Sequence, residues 1–191
     1  DNRSLKKLHF TGDTFLVAEE YFSGQNISGA DFRDTLAVVT RRGTFQGFVE
    51  LYSRAGGGFT HIATFDSSRL TYIVDAQFAD NRDDIIYVLG GSPNLGANGD
   101  FYALHCAGDS LYRIGGHKFS GFPGGLAQTF IMSMDSRNDT VYLATMAAVA
   151  WGETPLGTTC PAIDCNFLPD SMPIVANFIP GLWFFDVALH D

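Results

Sequence analysis

The side chains best suited to covalent chemistry are two closely spaced thiols. Cys160 and Cys165 close the segment Cys-Pro-Ala-Ile-Asp-Cys, inside a stretch rich in Pro and Thr. This spacing allows a short loop closed by a disulfide, a bond that persists in oxidising compartments. A zinc site would need more Cys or His at ligand spacing, and none follows. The third thiol, Cys106, sits in an apolar run and reads as a buried small hydrophobe. Three Asn-x-Ser/Thr sequons accompany the thiols: Asn2-Arg3-Ser4, Asn26-Ile27-Ser28 and Asn138-Asp139-Thr140. Those of Asn26 and Asn138 fall in predicted turns, where a glycan can point into solvent.

The densest set of oxygen ligands is Asp80-Asn81-Arg82-Asp83-Asp84. Calcium takes such oxygens, but the Asp-x-Asp-x-Asp-Gly loop is missing, and the segment reads as a solvated β-turn. His9, His61, His105, His117 and His190 are scattered, with no His-x-His or His-Glu-x-x-His. His105 and Cys106 are neighbours on a predicted strand, so they face opposite sides and cannot share an ion. No Gly-x-Ser-x-Gly elbow or P-loop occurs. Ser4-Leu5-Lys6-Lys7 fits Ser-x-x-Lys but has no partner groups. The glycines from Gly90 to Gly99 read as a strand connection, since no helix follows to bind phosphate. The sequence therefore assigns no catalytic, cofactor or metal residue.

The surrounding composition is that of a β protein. Asp outnumbers Glu 17 to 4 and Lys occurs 3 times, so two of the good helix formers are scarce. Gly (21) and Phe (17) favour turns and strands instead. Apolar residues at 46% exclude a disordered chain, and no eighteen-residue apolar run is present to span a membrane as a helix. The net charge of −9 repels phosphate backbones, so nucleic acid is not an expected partner.

Along the chain one pattern recurs: a polar turn with Arg and Asp, followed by an apolar strand. The copies are Arg33-Asp34-Thr35-Leu36-Ala37-Val38-Val39, Arg82-Asp83-Asp84-Ile85-Ile86-Tyr87-Val88-Leu89 and Arg137-Asn138-Asp139-Thr140-Val141-Tyr142-Leu143-Ala144. Aligning Asp34, Asp84 and Asp139 gives periods of 50 and 55 residues. Apolar strands are predicted before these turns at 14–18, 72–78 and 129–134. Third strands are predicted at 47–52, 100–105 and 181–187, and fourth strands at 59–65 and 110–114, each of these last after glycines that permit a tight turn.

Four antiparallel strands per unit of about 50 residues resembles a β-propeller blade. Residues 131–143 are similar to the first hairpin of a WD40-like or NHL-like blade. Residues 85–91 followed by Phe101-Tyr102 resemble a kelch repeat. The resemblance implies an all-β fold of propeller-like four-stranded blades, in part of a propeller; the alternative is a β-sandwich. Residues 1–191 read as one repeat region with units at about 5–66, 67–121 and 122–191. The third unit carries an insertion at 151–180.

Three units do not close a propeller. The expectation is a chain that belongs to a longer polypeptide or pairs with other chains. Trp183 and Phe185 fall on one face of the predicted strand 181–187 and Phe184 on the other, which suits burial between neighbouring sheets. The functional expectation is a non-catalytic, extracellular or cell-surface structural or adhesive module making protein–protein contacts. Two alternatives are part of a propeller-fold hydrolase or lyase with an axial metal site, and an intracellular scaffold of the kelch or WD40 type.

Overall fold

The computed structural model describes residues 4–43, 47–67, 72–91, 99–118, 131–138, 140–145, 148–153 and 175–178. Cys160, Cys165 and Asn2 lie outside these residues, as does the predicted strand 181–187.

The described chain is all β. The strands β1 (Leu5–Phe10) and β2 (Phe15–Tyr21) form a separate two-stranded hairpin. Three four-stranded antiparallel sheets follow, each in simple sequence order. The first holds β3 (Ile27–Arg33), β4 (Leu36–Arg42), β5 (Gly47–Ser53) and β6 (Thr60–Ser67). The second holds β7 (Tyr72–Ala79), β8 (Arg82–Gly91), β9 (Gly99–Ala107) and β10 (Ser110–Lys118). The third holds β11 (Ile131–Arg137), β12 (Thr140–Thr145), β13 (Ala148–Glu153) and β14 (Val175–Phe178). The predicted second strands at 35–39, 85–89 and 141–145 fall on β4, β8 and β12.

The sheets are stacked in series like propeller blades, and the sandwich alternative does not describe them. The second sheet is buried on both faces. Ile86, Val88, Tyr102 and Leu104 pack against Val38, Val49 and Leu51 of the first sheet. Ile85, Tyr87, Leu89, Phe101 and Ala103 pack against Met134, Val141 and Leu143 of the third. Successive side chains on a strand point to opposite faces, so a strand covered on both sides must be apolar throughout. Ile85-Ile86-Tyr87-Val88-Leu89 is such a run, and every one of these residues is buried. Full burial of a side chain this size contributes about 1.5–3 kcal/mol.

Two predicted assignments shift. The strand before the first repeat turn is β3 (Ile27–Arg33), and the predicted strand at 14–18 pairs with β1 in the outlying hairpin. In the second copy the turn is Asp80-Asn81, while Arg82, Asp83 and Asp84 lie within β8. The third unit is filled differently too. Its third and fourth strands are Ala148–Glu153 and Val175–Phe178, so both ends of the expected 151–180 insertion are strands. The sequence repeat aligns on Asp34, Asp84 and Asp139, but strand pairing follows the apolar run and the turn geometry.

Candidate binding surface

The first, or inner, strands of the three sheets stand side by side, joined by side chains that reach from one sheet to the next. On β3, the Asp31 carboxylate accepts the Phe32 amide at 2.8 Å through Oδ1 and the Phe78 amide of β7 at 2.9 Å through Oδ2. Arg33, two residues on, donates to the Ala79 carbonyl, and its guanidinium lies 5.7 Å from the Phe78 ring centroid. It also pairs with Asp83 at 3.2 Å. Between the second and third sheets, Gln77 Nε2 donates to the Met134 carbonyl at 2.7 Å. There the Asp80 amide donates to Ser136 Oγ at 3.3 Å, and Asp80 Oδ2 accepts the Asn138 amide at 3.2 Å.

The acidic cluster at residues 80–84 is thus tied into structure. Asp84 receives a two-pronged contact from Arg82 at 2.9 and 2.6 Å, and His105 Nε2 stands 3.2 Å away. The Arg82 hydrogen bonds hold the Asp84 carboxyl below the usual carboxylate range, against a smaller opposing effect of burial. Among the described residues no group of three or more His, Cys, Asp or Glu is placed to hold a metal ion. Cys106 is free, and burial, with a smaller push from Asp84, raises its thiol to about 12. A thiol so raised is a poor nucleophile.

A second polar set braces the first sheet. Glu50, 4% exposed, accepts two hydrogen bonds from the Arg41 guanidinium, the Nε one at 2.7 Å, and one from Tyr52 Oη at 2.7 Å. The bond to Glu50 raises the Arg41 pKa, while burial and then Glu50 raise that of the Tyr52 hydroxyl. Sequence reading missed this set, because Arg41, Glu50 and Tyr52 lie on two strands and only the β4–β5 register brings them together.

The outlying hairpin is the part most open to a partner. At its base, Leu5 and the following residue Phe22 pack on the face of the first sheet that points away from the second, over Ile27, Ala37, Val39 and Tyr52. Tyr21 meets Phe59 edge-on, with centroids 4.7 Å apart. Further out the apolar side chains are uncovered: Leu8 is 53% exposed, Phe10 56%, Phe15 66%, Leu16 55% and Val17 54%. The Phe10 and Phe15 rings meet each other, with centroids 4.9 Å apart. Leu16 and its neighbours Phe15 and Val17 point to opposite faces, so both faces of the hairpin tip are apolar.

A groove of about 310 Å³ runs between hairpin and first sheet, lined by Lys7, Tyr21, Phe32, Arg54 and Phe59 among others. The Arg54 guanidinium stacks 4.9 Å from the Phe32 ring centroid, and Lys7 is paired with Glu19 at 2.9 Å. Glycine shapes one wall. Gly56 and Gly57 have φ of 84° and 85° in the tight turn before β6, a conformation other residues adopt at a cost. The two sequons within the described residues are accessible: Asn26 precedes β3 and Asn138, with φ of 54°, occupies the β11–β12 turn, and both are exposed.

Stacked four-stranded antiparallel sheets in sequence order define a protein of propeller-like blades. No protein-family model matches the sequence, and no curated protein matches it. Among solved structures the chain is similar to one titled Kuenenia stuttgartiensis hydrazine synthase, with a TM-score of 0.52 and 12% identity. The match covers 74% of this chain and 43% of that one, so this chain spans less than half of its length. At this identity the likeness concerns the fold.

Proposed function

We propose that this chain is a non-catalytic structural module that makes protein–protein contacts through the tip of the β1–β2 hairpin. The single observation that carries this reading is the hairpin itself. Five large apolar side chains, each more than half exposed, occupy both of its faces. A two-stranded hairpin is marginal in water, and an apolar patch of this kind marks an interaction surface. Among the described residues β1 and β2 pair only with each other, and their outer edges offer a template for further strand pairing. The partner is polypeptide: another chain, or more of the same one.

The compartment we propose is extracellular or cell-surface. It rests on the exposed Asn26 and Asn138 sequons and on the Cys160–Cys165 pair proposed to be bridged. Intact mass before and after reduction and deglycosylation tests the compartment. Bare asparagines and free thiols in native material would instead favour the intracellular scaffold.

The contact surface is tested by a photo-crosslinking side chain placed at Phe15 in the native assembly, with Asp109 in the β9–β10 turn as control. The proposal expects polypeptide adducts at position 15 in clear excess over position 109. Equal yields at both positions would overturn it.

A further inference from the structure

We propose that the groove between the hairpin and the first sheet binds an acidic peptide segment of a partner protein, anchored by one aromatic side chain. The first observation is charge. Acidic residues outnumber basic ones 21 to 12 in this chain. The groove reverses that balance, since Lys6, Lys7 and Arg54 are among its lining residues and no carboxylate is. Among the described residues, Lys6 and Arg54 take part in no ion pair. Lys7 holds Glu19, but both ends of that pair are exposed, and an incoming carboxylate can replace so weak a contact.

The second observation is that Arg54 is already positioned. Its backbone amide donates to the Thr35 carbonyl at 2.6 Å, and its guanidinium is held over the Phe32 ring. A guanidinium stacked on a ring keeps its N–H fork in plane, where a carboxylate can take it two-pronged.

The third observation is an aromatic slot. Phe32 and Phe59 stand with centroids 6.4 Å apart, Tyr21 meets Phe59, and Phe32 is 41% exposed. Rings at such separations favour the edge or offset packing of one more ring. The groove volume of about 310 Å³ lies at the small end of ligand sites, room for one large side chain.

Gly58 adds a fourth observation. Unlike Gly57 it has extended backbone, with φ of −117°, and a β-carbon there would meet nothing within 4 Å. Neither conformation nor packing demands glycine at this position. Its missing side chain leaves the groove open.

These features select the ligand. The cations stand on two separate elements, β1 and the turn after β5, so carboxylates are wanted on both sides of the anchored ring. A peptide with acidic residues flanking an aromatic one supplies them. The groove is lined by none of the five exposed apolar residues of the hairpin tip, so this inference stands or falls apart from the tip contact.

Fluorescence anisotropy with the whole chain and a dye-labelled, end-capped peptide Asp-Glu-Phe-Glu-Asp tests it. The peptide should bind saturably, and raising the salt to about 1 M, where screening acts within about 3 Å, should weaken it severalfold. Replacing its Phe by Ala should cost about tenfold, as for a buried aromatic anchor, and replacing its acids by Lys should abolish binding. Arg54→Met keeps a stem over Phe32 without the charge and should weaken binding severalfold. Gly58→Leu leaves every cation in place, fills the slot, and should weaken it by about tenfold. Equal binding of the Phe and Ala peptides, binding indifferent to both substitutions, or phenylacetate binding as tightly as the peptide overturns the proposal.

Discussion

Gly29 on β3 faces Asp75 on β7 so closely that a β-carbon at Gly29 would stand 2.8 Å from the Asp75 carboxylate and 3.3 Å from its Cα. The first two sheets meet at their inner strands through this gap, and only a residue without a side chain keeps it. The contact also explains a weak point in the sequence pattern, since glycine costs strand stability unless a close approach needs it.

Gly29→Ala should therefore destabilise the chain by about 1–3 kcal/mol, the usual cost of overpacking. The added methyl meets backbone at Asp75, which cannot swing away as a side-chain tip can. Urea unfolding with an unchanged m-value and a lower midpoint is the expected result.

Glu50→Ala should cost about 3 kcal/mol, at the low end for breaking a buried ion pair because Arg41 is 30% exposed. The loss strands the Arg41 guanidinium and the Tyr52 hydroxyl. Glu50→Gln keeps an acceptor for one of them and should lose less. Thermal unfolding of the two variants gives the order.

Asp84 sets an acid limit. Its folded pKa is lowered, so its contribution is complete above the unfolded value of about 3.9 and is lost as pH falls through the folded value. Stability measured from pH 6 down to pH 3 should fall more steeply in the wild type than in Asp84→Asn. Parallel curves would remove Asp84 from the account.

Cys106 should resist alkylation in the folded chain. With its thiol near 12 against an ordinary 8.5, the thiolate fraction at pH 8 drops by about three orders of magnitude. Mapped labelling with iodoacetamide should find Cys106 unmodified until urea unfolds the protein.

The stacked sheets were legible in the sequence because burial on both faces forces runs such as Ile85–Leu89, and a period near 50 residues exposes the repeat. The turn at Asp80-Asn81 was misplaced because Arg82-Asp83-Asp84 imitates the polar turns at Asp34 and Asn138. The backbone φ that distinguishes them is not written in residue type. The Asp31 grip on Phe78 was hidden for another reason. Its partners are 47 residues apart, and only the stacking of inner strands joins them. The hairpin went unrecognised as a separate element because Phe15, Leu16 and Val17 look like any buried strand; their exposure is a property of the fold.

Sedimentation velocity of the whole chain tests the central claim most directly. At tens of micromolar the wild type should self-associate through its uncovered hairpin. Phe15→Asp combined with Val17→Asp should run as a monomer with an unchanged melting temperature, because neither side chain belongs to the packed core. A wild type that stays monomeric across that range, or a double variant that associates equally well, would contradict the hairpin as the contact surface.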